Sequence, residues 1–378
     1  MIYLDNAATT FPKSQLVYET MDWANRTIAV NAGRGSYKLA REATKLIDET
    51  RELLLGVVKS SGKEKAILTT SATMSLHIIL NGISFSEGDV VYISPYEHNA
   101  VARTLDELRR KKKIVIKLLP VVEGKLEIDL DKIRYLFIKD RPKCVCCTHI
   151  SNVTGYVLPV IDVFTMAKEV GAITVLDAAQ SFGLWNIETK KMCADFIVFA
   201  GHKTLYGPLG VAGFIDVNGV KLEPVFAGGT GSDSLNLKMP KESPYCYEAA
   251  SKDIVAIAGL NQALKELNQN ENFQRERELT DYLVKKLEEI PGVILYLPDD
   301  DSQHIGVVSF NVEGYKSEDV GTILDEDYEI AVRTGYHCAP YVHELLKDER
   351  FLGTVRVGLG KYNTKEEIDK LCVSIETL

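Results

Sequence analysis

The chain has 378 residues, 46% of them hydrophobic and 26% charged, with a formal net charge of -9. That length exceeds one comfortable core, so two domains are expected, and the composition is that of an ordinary globular enzyme. The negative balance argues against nucleic acid as a partner, and no run approaches the ~20 apolar residues of a membrane span. The amino terminus enters Asp5-Asn6 with no signal-like core, so the expectation is a cytoplasmic protein with no membrane partner. Seven cysteines over this length form neither a disulfide framework nor a repeating metal pattern.

Ile2-Tyr3-Leu4 is a short apolar run, and helical spacing follows near 38–58 through Leu39, Ala43, Leu46, Ile47, Thr50, Leu53 and Leu54. Short apolar runs then alternate with helical intervals. Strands are predicted at 66–70, 90–94, 114–118, 143–148, 173–177, 196–200 and 211–215, and helices at 73–84, 98–112 and 160–170, with a further turn after Gly183. Most of these strands are apolar on both faces, the mark of a mainly parallel sheet covered by helices. The run Arg109-Arg110-Lys111-Lys112-Lys113 reads as a solvated helix end. In Cys144-Val145-Cys146-Cys147, alternation sends Cys144 and Cys146 to one face and Cys147 to the other, as core thiols rather than zinc ligands. A polar stretch at 216–245 carries Gly228-Gly229-Thr230-Gly231-Ser232. Beyond it, helices at 248–268, 272–290 and 317–324, strands at 293–297, 305–310, 330–332 and 355–357, and a last helix from Thr364 make a smaller α/β unit. The resulting division is a large domain at 16–260, with 1–15 and 261–378 forming the small one.

Open α/β sheets place ligands where strands feed loops. Thr70-Ser71-Ala72-Thr73 suits a phosphate at a helix start or a plain N-cap. Pro95-Tyr96-Glu97-His98-Asn99 offers His98 as a cover for an aromatic cofactor or as a helix cap. His149-Ile150-Ser151-Asn152 offers Asn152 as a donor to a phenolate-like oxygen, or as turn chemistry. The pair that narrows the chemistry is Asp177-Ala178-Ala179-Gln180 and, two dozen residues later, Gly201-His202-Lys203. A buried lysine can carry pyridoxal phosphate as a Schiff base, while a buried aspartate keeps the pyridine nitrogen protonated and the ring an electron sink. Far downstream, Arg333-Thr334-Gly335-Tyr336-His337-Cys338-Ala339-Pro340 places a thiol in a loop with Arg333 and His337 close enough to favour its thiolate.

Taken together these segments resemble the class V, fold-type I pyridoxal phosphate enzymes, specifically the cysteine desulfurase and selenocysteine lyase family. Leu4-Asp5-Asn6-Ala7-Ala8-Thr9-Thr10 and Asn31-Ala32-Gly33-Arg34-Gly35 are similar to its amino-terminal segments, and the resemblance runs nearly the whole chain in family order. It implies a large domain with a seven-stranded, mainly parallel sheet and a smaller C-terminal α/β domain. Pyridoxal 5'-phosphate is the implied cofactor, with Lys203 bonded to it, Asp177 on its pyridine nitrogen, His98 over its face and in the catalytic set, and Gln180 and Asn152 at its ring oxygen. Ala72, Thr73 and His202 are implied at the phosphate, and Thr230 at the phosphate of a partner subunit, hence a homodimer with shared sites. Arg356 is implied to clamp the carboxylate of the substrate, which Asn152 also approaches.

The reaction so implied converts L-cysteine to L-alanine, with Lys203 as base for the α-proton and Cys338 taking the sulfur as a persulfide. The short Arg333–Cys338 spacing resembles the group with a compact cysteine loop, which passes sulfur to an acceptor protein. Two departures stand out: Ala200 replaces a Ser or Thr that many relatives direct at the phosphate, and the 31–35 segment lacks histidines that some relatives carry. The competing reading keeps the fold and makes the protein a class V aminotransferase, lyase or epimerase for another small amino acid. Against it stands Cys338, a thiol that transamination does not need.

Overall fold

The computed structural model describes residues 1–33, 35–231 and 235–378; Arg34 and Ser232, each part of a motif named above, lie outside them. Strand β1 is Ile2–Tyr3. Seven further strands form one sheet: β2 (Lys65–Thr69), β3 (Val90–Ile93), β4 (Val115–Leu118), β5 (Cys144–Thr148), β6 (Ile173–Asp177), β7 (Phe196–Ala200) and β8 (Ala212–Asp216). Their order is β2-β8-β7-β6-β5-β3-β4. Only β8 runs against the rest, pairing antiparallel with both β2 and β7, so six strands point their carboxyl ends the same way. Each strand expected in this sheet is present, with ends that match or shift by one residue.

The apolar runs work because neighbouring residues enter different cores. On one face Cys147, Leu176, Ile197 and Phe199 pack together; on the other Cys144, Cys146, Val175 and Val198 do. The alternation read for the three cysteines therefore holds, and each is fully buried. A covered sheet of this kind gains about 1.5–3 kcal/mol for each large side chain removed from water. Edge strand β4 is half-exposed, which is why its sequence is the most mixed. The basic run ends the helix Asn99–Lys112, where its members pair with Asp106, Glu107 and Glu87.

The rest of the chain builds a second sheet from β9 (Val293–Leu295), β10 (Val307–Val312), β12 (Arg333–Gly335) and β13 (Thr354–Gly358), in the order β12-β13-β10-β9 and antiparallel throughout. Strand β11 (Ile330–Ala331) pairs instead with β1. Leu4 joins Leu279, Leu283, Phe310 and Val355 in the core of this unit, so the amino terminus packs with the C-terminal residues.

Several expectations change. The helices Gln15–Thr27 and Leu130–Asp140 were not anticipated, because each buries only two side chains and exposes others such as Trp23, Tyr135 and Ile138, blurring the apolar stripe. The helix expected from 248 begins at Ile254, since Asp253 caps it through Ala256 N–H and Glu248 is committed elsewhere, to Arg51 and Lys252. That helix, Ile254–Lys265, runs through the division expected after residue 260, and Leu264 shares the core of the large sheet. No helix directly follows Gly183; a single turn, Thr189–Met192, comes later.

Candidate active site

The carboxyl ends of five parallel strands surround one cavity of about 210 Å³. Strand β2 leads to Ser71, Ala72 and Thr73, β3 to His98, β5 to Asn152, β6 to Asp177 and Gln180, and β7 to Ala200, His202 and Lys203, all of which line it. Arg333, His337, Cys338 and Arg356 from the C-terminal unit close the remaining side. Of the residues assigned to the cofactor or substrate from the sequence, one stays apart. Thr230 lines a different cavity, beside Asn31, Arg51 and Glu248.

Local geometry explains how Lys203 is aimed. The turn after β7 closes through Tyr206 N–H to the Lys203 carbonyl (2.8 Å) and Gly207 N–H to the Gly201 carbonyl (2.8 Å). Position 201 accepts only glycine, because a Cβ there would sit 2.5 Å from the Val211 carbonyl oxygen. The carbonyl of His202 accepts from Thr10 N–H (3.0 Å), Thr9 Oγ1 (3.0 Å) and Lys13 Nζ (3.1 Å). The amino-terminal segment thus pins the loop that presents the lysine.

Burial pushes the Lys203 ammonium down to about 8; Asp177 opposes the shift while Arg356 and Arg333 reinforce it. Burial pushes Asp177 up, against the Ala179 N–H that its Oδ1 accepts at 3.0 Å and the charge of Lys203. The two shifts disfavour charge on both partners, so the pair does not satisfy itself. No protein donor among the described residues meets Asp177 Oδ2. A cationic ring nitrogen facing that oxygen would make the buried carboxylate favourable.

His98 is lowered to about 4, mainly by burial and then by the nearby cations. Its Nδ1 accepts Ala100 N–H at 3.0 Å, so the neutral ring carries its proton on Nε2 and caps the helix while it also lines the cavity. At the head of the helix Ala72–Gly82, Ser71 caps Met74 N–H, leaving the amides of Ala72 and Thr73 free toward the cavity. With the buried, unpartnered Nδ1 of the half-buried His202, these donors fit a phosphate. Ala200 adds no hydroxyl there. The donor set as a whole fits pyridoxal phosphate.

The C-terminal side is built differently. Cys338 sits in a tight loop in which Gly335 (φ 93°), His337 (φ 46°) and Cys338 (φ 58°) are all left-handed, at a cost of about 1–2 kcal/mol for each non-glycine residue. Three neighbouring carbonyls offset that strain. The Tyr336 oxygen accepts from Ala339 N–H (3.0 Å) and His343 Nε2 (3.0 Å), the His337 oxygen from Asn152 Nδ2 (2.8 Å), and the Cys338 oxygen from Asn99 N–H (2.6 Å). Arg333 Nη2 lies 3.9 Å from Cys338 Sγ, a cation placed to pair with the thiolate. The charge expected from His337 is not available, because burial holds that ring well below the usual imidazole range while its Nε2 bonds to Thr354.

Arg356 is buried in β13, with one Nη donating to the Asn152 carbonyl (2.9 Å), the other to Asp5 Oδ1 (2.6 Å), and Nε unpartnered. Gln180 Nε2 donates to the Ala7 carbonyl (2.8 Å), so Gln180 and Asn152 each commit an amide N–H to backbone as well as lining the cavity. Sequence reasoning missed Asp5, Asn99 and the buried Glu97. Glu97 accepts from Ser94 Oγ and Thr148 N–H (both 2.6 Å) behind His98 and is raised to about 8 by burial. The signal for Glu97 was available: a carboxylate four residues beyond an apolar strand must find partners or stay neutral.

A family model described as aminotransferase class-V matches residues 2–371. A probable cysteine desulfurase of Methanothermobacter thermautotrophicus is 33% identical over 388 positions, spanning 100% of this chain and 94% of that protein. A cysteine desulfurase of Pectobacterium carotovorum is 30% identical over 390 positions, spanning 100% and 93%. Among solved structures, the apo form of a cysteine desulfurase from Thermococcus onnurineus superposes with a TM-score of 0.90 at 30% identity, over 100% of this chain and 94% of that one.

Proposed function

The chain belongs to the class-V aminotransferase family, and we propose that within it the protein is a pyridoxal phosphate-dependent cysteine desulfurase. The observation that carries the proposal is that Cys338, Lys203 and Arg356 line one cavity with Asp177 at its floor. The resemblance to desulfurases over the whole chain supports it. Pyridoxal phosphate, held by Lys203, Asp177, His98 and the amides of Ala72 and Thr73, supplies an electron sink next to the substrate's Cα. Arg356 binds the substrate carboxylate, with Asn152 beside it. Lys203, already inclined to shed its proton near pH 8, takes the α-proton and a proton is returned to Cα before the product leaves. Cys338, paired with Arg333, attacks the substrate sulfur as a thiolate. The C–S bond breaks, its electron pair at Cβ takes up a proton, and L-alanine leaves while the two sulfurs stay joined as a persulfide. Carbon is reduced as sulfur is oxidised, so the step needs no outside redox partner.

The remaining assignments follow the same reading. Thr230, remote from Lys203 in its own chain, serves the phosphate of a second copy in a homodimer. A sulfur-acceptor protein meets the persulfide at the mouth of the cavity. The division into units falls after Lys265, with the amino-terminal strand in the smaller one. Seven free thiols suit the reducing cytoplasm, and among the described residues no helix is long and apolar enough to cross a membrane. The test is anaerobic incubation of cofactor-loaded protein with L-cysteine and a reducing thiol. Equimolar alanine and sulfide are expected; keto-acid formation with no sulfide would replace the proposal with an aminotransferase.

A further inference from the structure

Beneath the Cys338 loop lies a buried pair that the reaction above does not use. His343, on the short helix Val342–Leu346, places Nδ1 2.6 Å from Asp348 Oδ2. The two side chains are 7% and 0% exposed. The other nitrogen, Nε2, is 3.0 Å from the Tyr336 carbonyl oxygen. A carbonyl oxygen can only accept, so Nε2 carries a proton and donates it. Asp348 has no second use for its carboxylate, since Oδ1 lacks any partner. An ionisable group buried this completely is costly unless its bond has a purpose. Everything Asp348 does through its side chain is to hold one imidazole. Everything that imidazole does through Nε2 is to hold a carbonyl two residues before Cys338.

That carbonyl is a sensitive place to hold. It opens the left-handed stretch through His337 and Cys338, and the following two carbonyls are fixed by Asn152 and Asn99. Asn152 and Asn99 belong to the strand-end half of the cavity. From the C-terminal half, Arg333 reaches the Cys338 thiol and Thr354 the His337 ring, while among the described residues His343 is the side chain of that half that holds a carbonyl of this turn. The Tyr336 ring stands edge-on to His343 at 5.0 Å, which fixes the imidazole's plane as well as its ends.

We propose that His343, oriented by Asp348, is a positioning residue for Cys338: it locks the loop so that the thiol meets the substrate's sulfur inside the cavity. The inference rests on the desulfurase reading, and its test separates the two.

The experiment uses cofactor-loaded His343→Ala, His343→Gln and Asp348→Asn. It measures cofactor content, the absorbance change on adding L-cysteine, alanine formation, and iodoacetamide labelling of the Cys338 peptide by mass spectrometry. His343→Ala is expected to keep cofactor and the absorbance change, with KM near that of the parent and kcat lowered about 10–100-fold by misplacement of the thiol. Its Cys338 labelling rate should shift by at least about threefold as the loop loosens. His343→Gln, which can still donate to the Tyr336 carbonyl, should recover most of the loss, and Asp348→Asn should fall between. Parent-like turnover and labelling in His343→Ala overturns the proposal. So does a loss of cofactor content that tracks the loss of turnover, the mark of a mere fold pin. If the alanine variant fails to fold, Asp348→Asn decides by the same split. Failure of the parent to form alanine would sink the desulfurase reading alone, because the labelling arm still reports whether His343 holds Cys338 in place.

Discussion

The two walls of the cavity obey different rules. On the sheet side, Asp177, Lys203 and His98 stand at the ends of buried parallel strands or in the turns just beyond, where ladder bonds fix the backbone before any side chain is chosen. On the opposite side, Cys338 rides a strained turn whose shape depends on donors from the distant Asn99 and Asn152 and from His343 just beyond it. The sheet wall suits a bound ring that must not move. The loop wall suits a nucleophile that must first reach a substrate atom and later be reached by an acceptor.

The largest effects should separate the walls most cleanly. Lys203→Ala is expected to lower alanine formation by about a thousandfold or more, and borohydride should then leave no cofactor bonded to the chain. Cys338→Ala should lower it comparably with cofactor content unchanged; a coupled loss of both would mean that the walls are not independent. The sheet wall also sets a pH dependence. Burial lowers Lys203 to about 8, and only the unprotonated amine condenses with an aldehyde. Cofactor capture by the apoprotein should therefore quicken as pH rises from 7 through 8 and level off above 9. A rise delayed to the ordinary lysine range would show that the amine is not desolvated.

How legible each wall was in the sequence follows from the same difference. The seven strands could be placed because Val175, Leu176, Ile197 and Phe199 must all be dry, and a run dry on both faces has few other homes. Asp177 and Lys203 were then conspicuous as charges ending such runs. Cys338 was visible as a thiol in a Gly-Tyr-His-Cys-Ala-Pro loop, yet its surroundings were not. Neighbours in sequence suggested both Arg333 and His337 as cations, while the fold buries His337 neutral and leaves that part to Arg333. The Asp5–Arg356 contact, 351 residues apart in the chain, leaves no local trace at all. Residues whose purpose lies in one long-range bond look like ordinary polar residues until the chain closes.

Intermediate effects test substrate and phosphate binding. Arg356→Lys should lower kcat/KM by about thirty- to a hundredfold, because an ammonium cannot span Asp5, the Asn152 carbonyl and a substrate carboxylate together. The fall should appear in KM for L-cysteine and spare cofactor content. Ala200→Ser runs the other way. A hydroxyl at this cavity-lining position should slow cofactor loss on dialysis by about three- to tenfold, the worth of one added hydrogen bond; no change would mean that the hydroxyl points elsewhere.

The smallest effect compares the walls through stability. Glu97 lies behind the sheet wall, and Glu276 lies between the units, where Tyr206 donates to it at 3.0 Å. Burial raises both to about 8. In the unfolded chain a glutamate loses its proton near pH 4.5, whereas in the folded protein each of these keeps it until about 8. The folded state therefore binds more protons across that window, and stability falls as pH rises through it. Glutamine mimics the protonated form and should flatten the decline. Glu276→Gln should recover about 2–4 °C of the Tm that the parent loses between pH 5 and 8.5, with little change in turnover, since Tyr206 can still donate to the amide oxygen. Glu97→Gln should flatten a similar share while also disturbing His98, and so should lower turnover. If Glu276→Gln alone removed the whole slope, Glu97 would be ionised beside His98, and the sheet wall would carry one more negative charge than its burial allows.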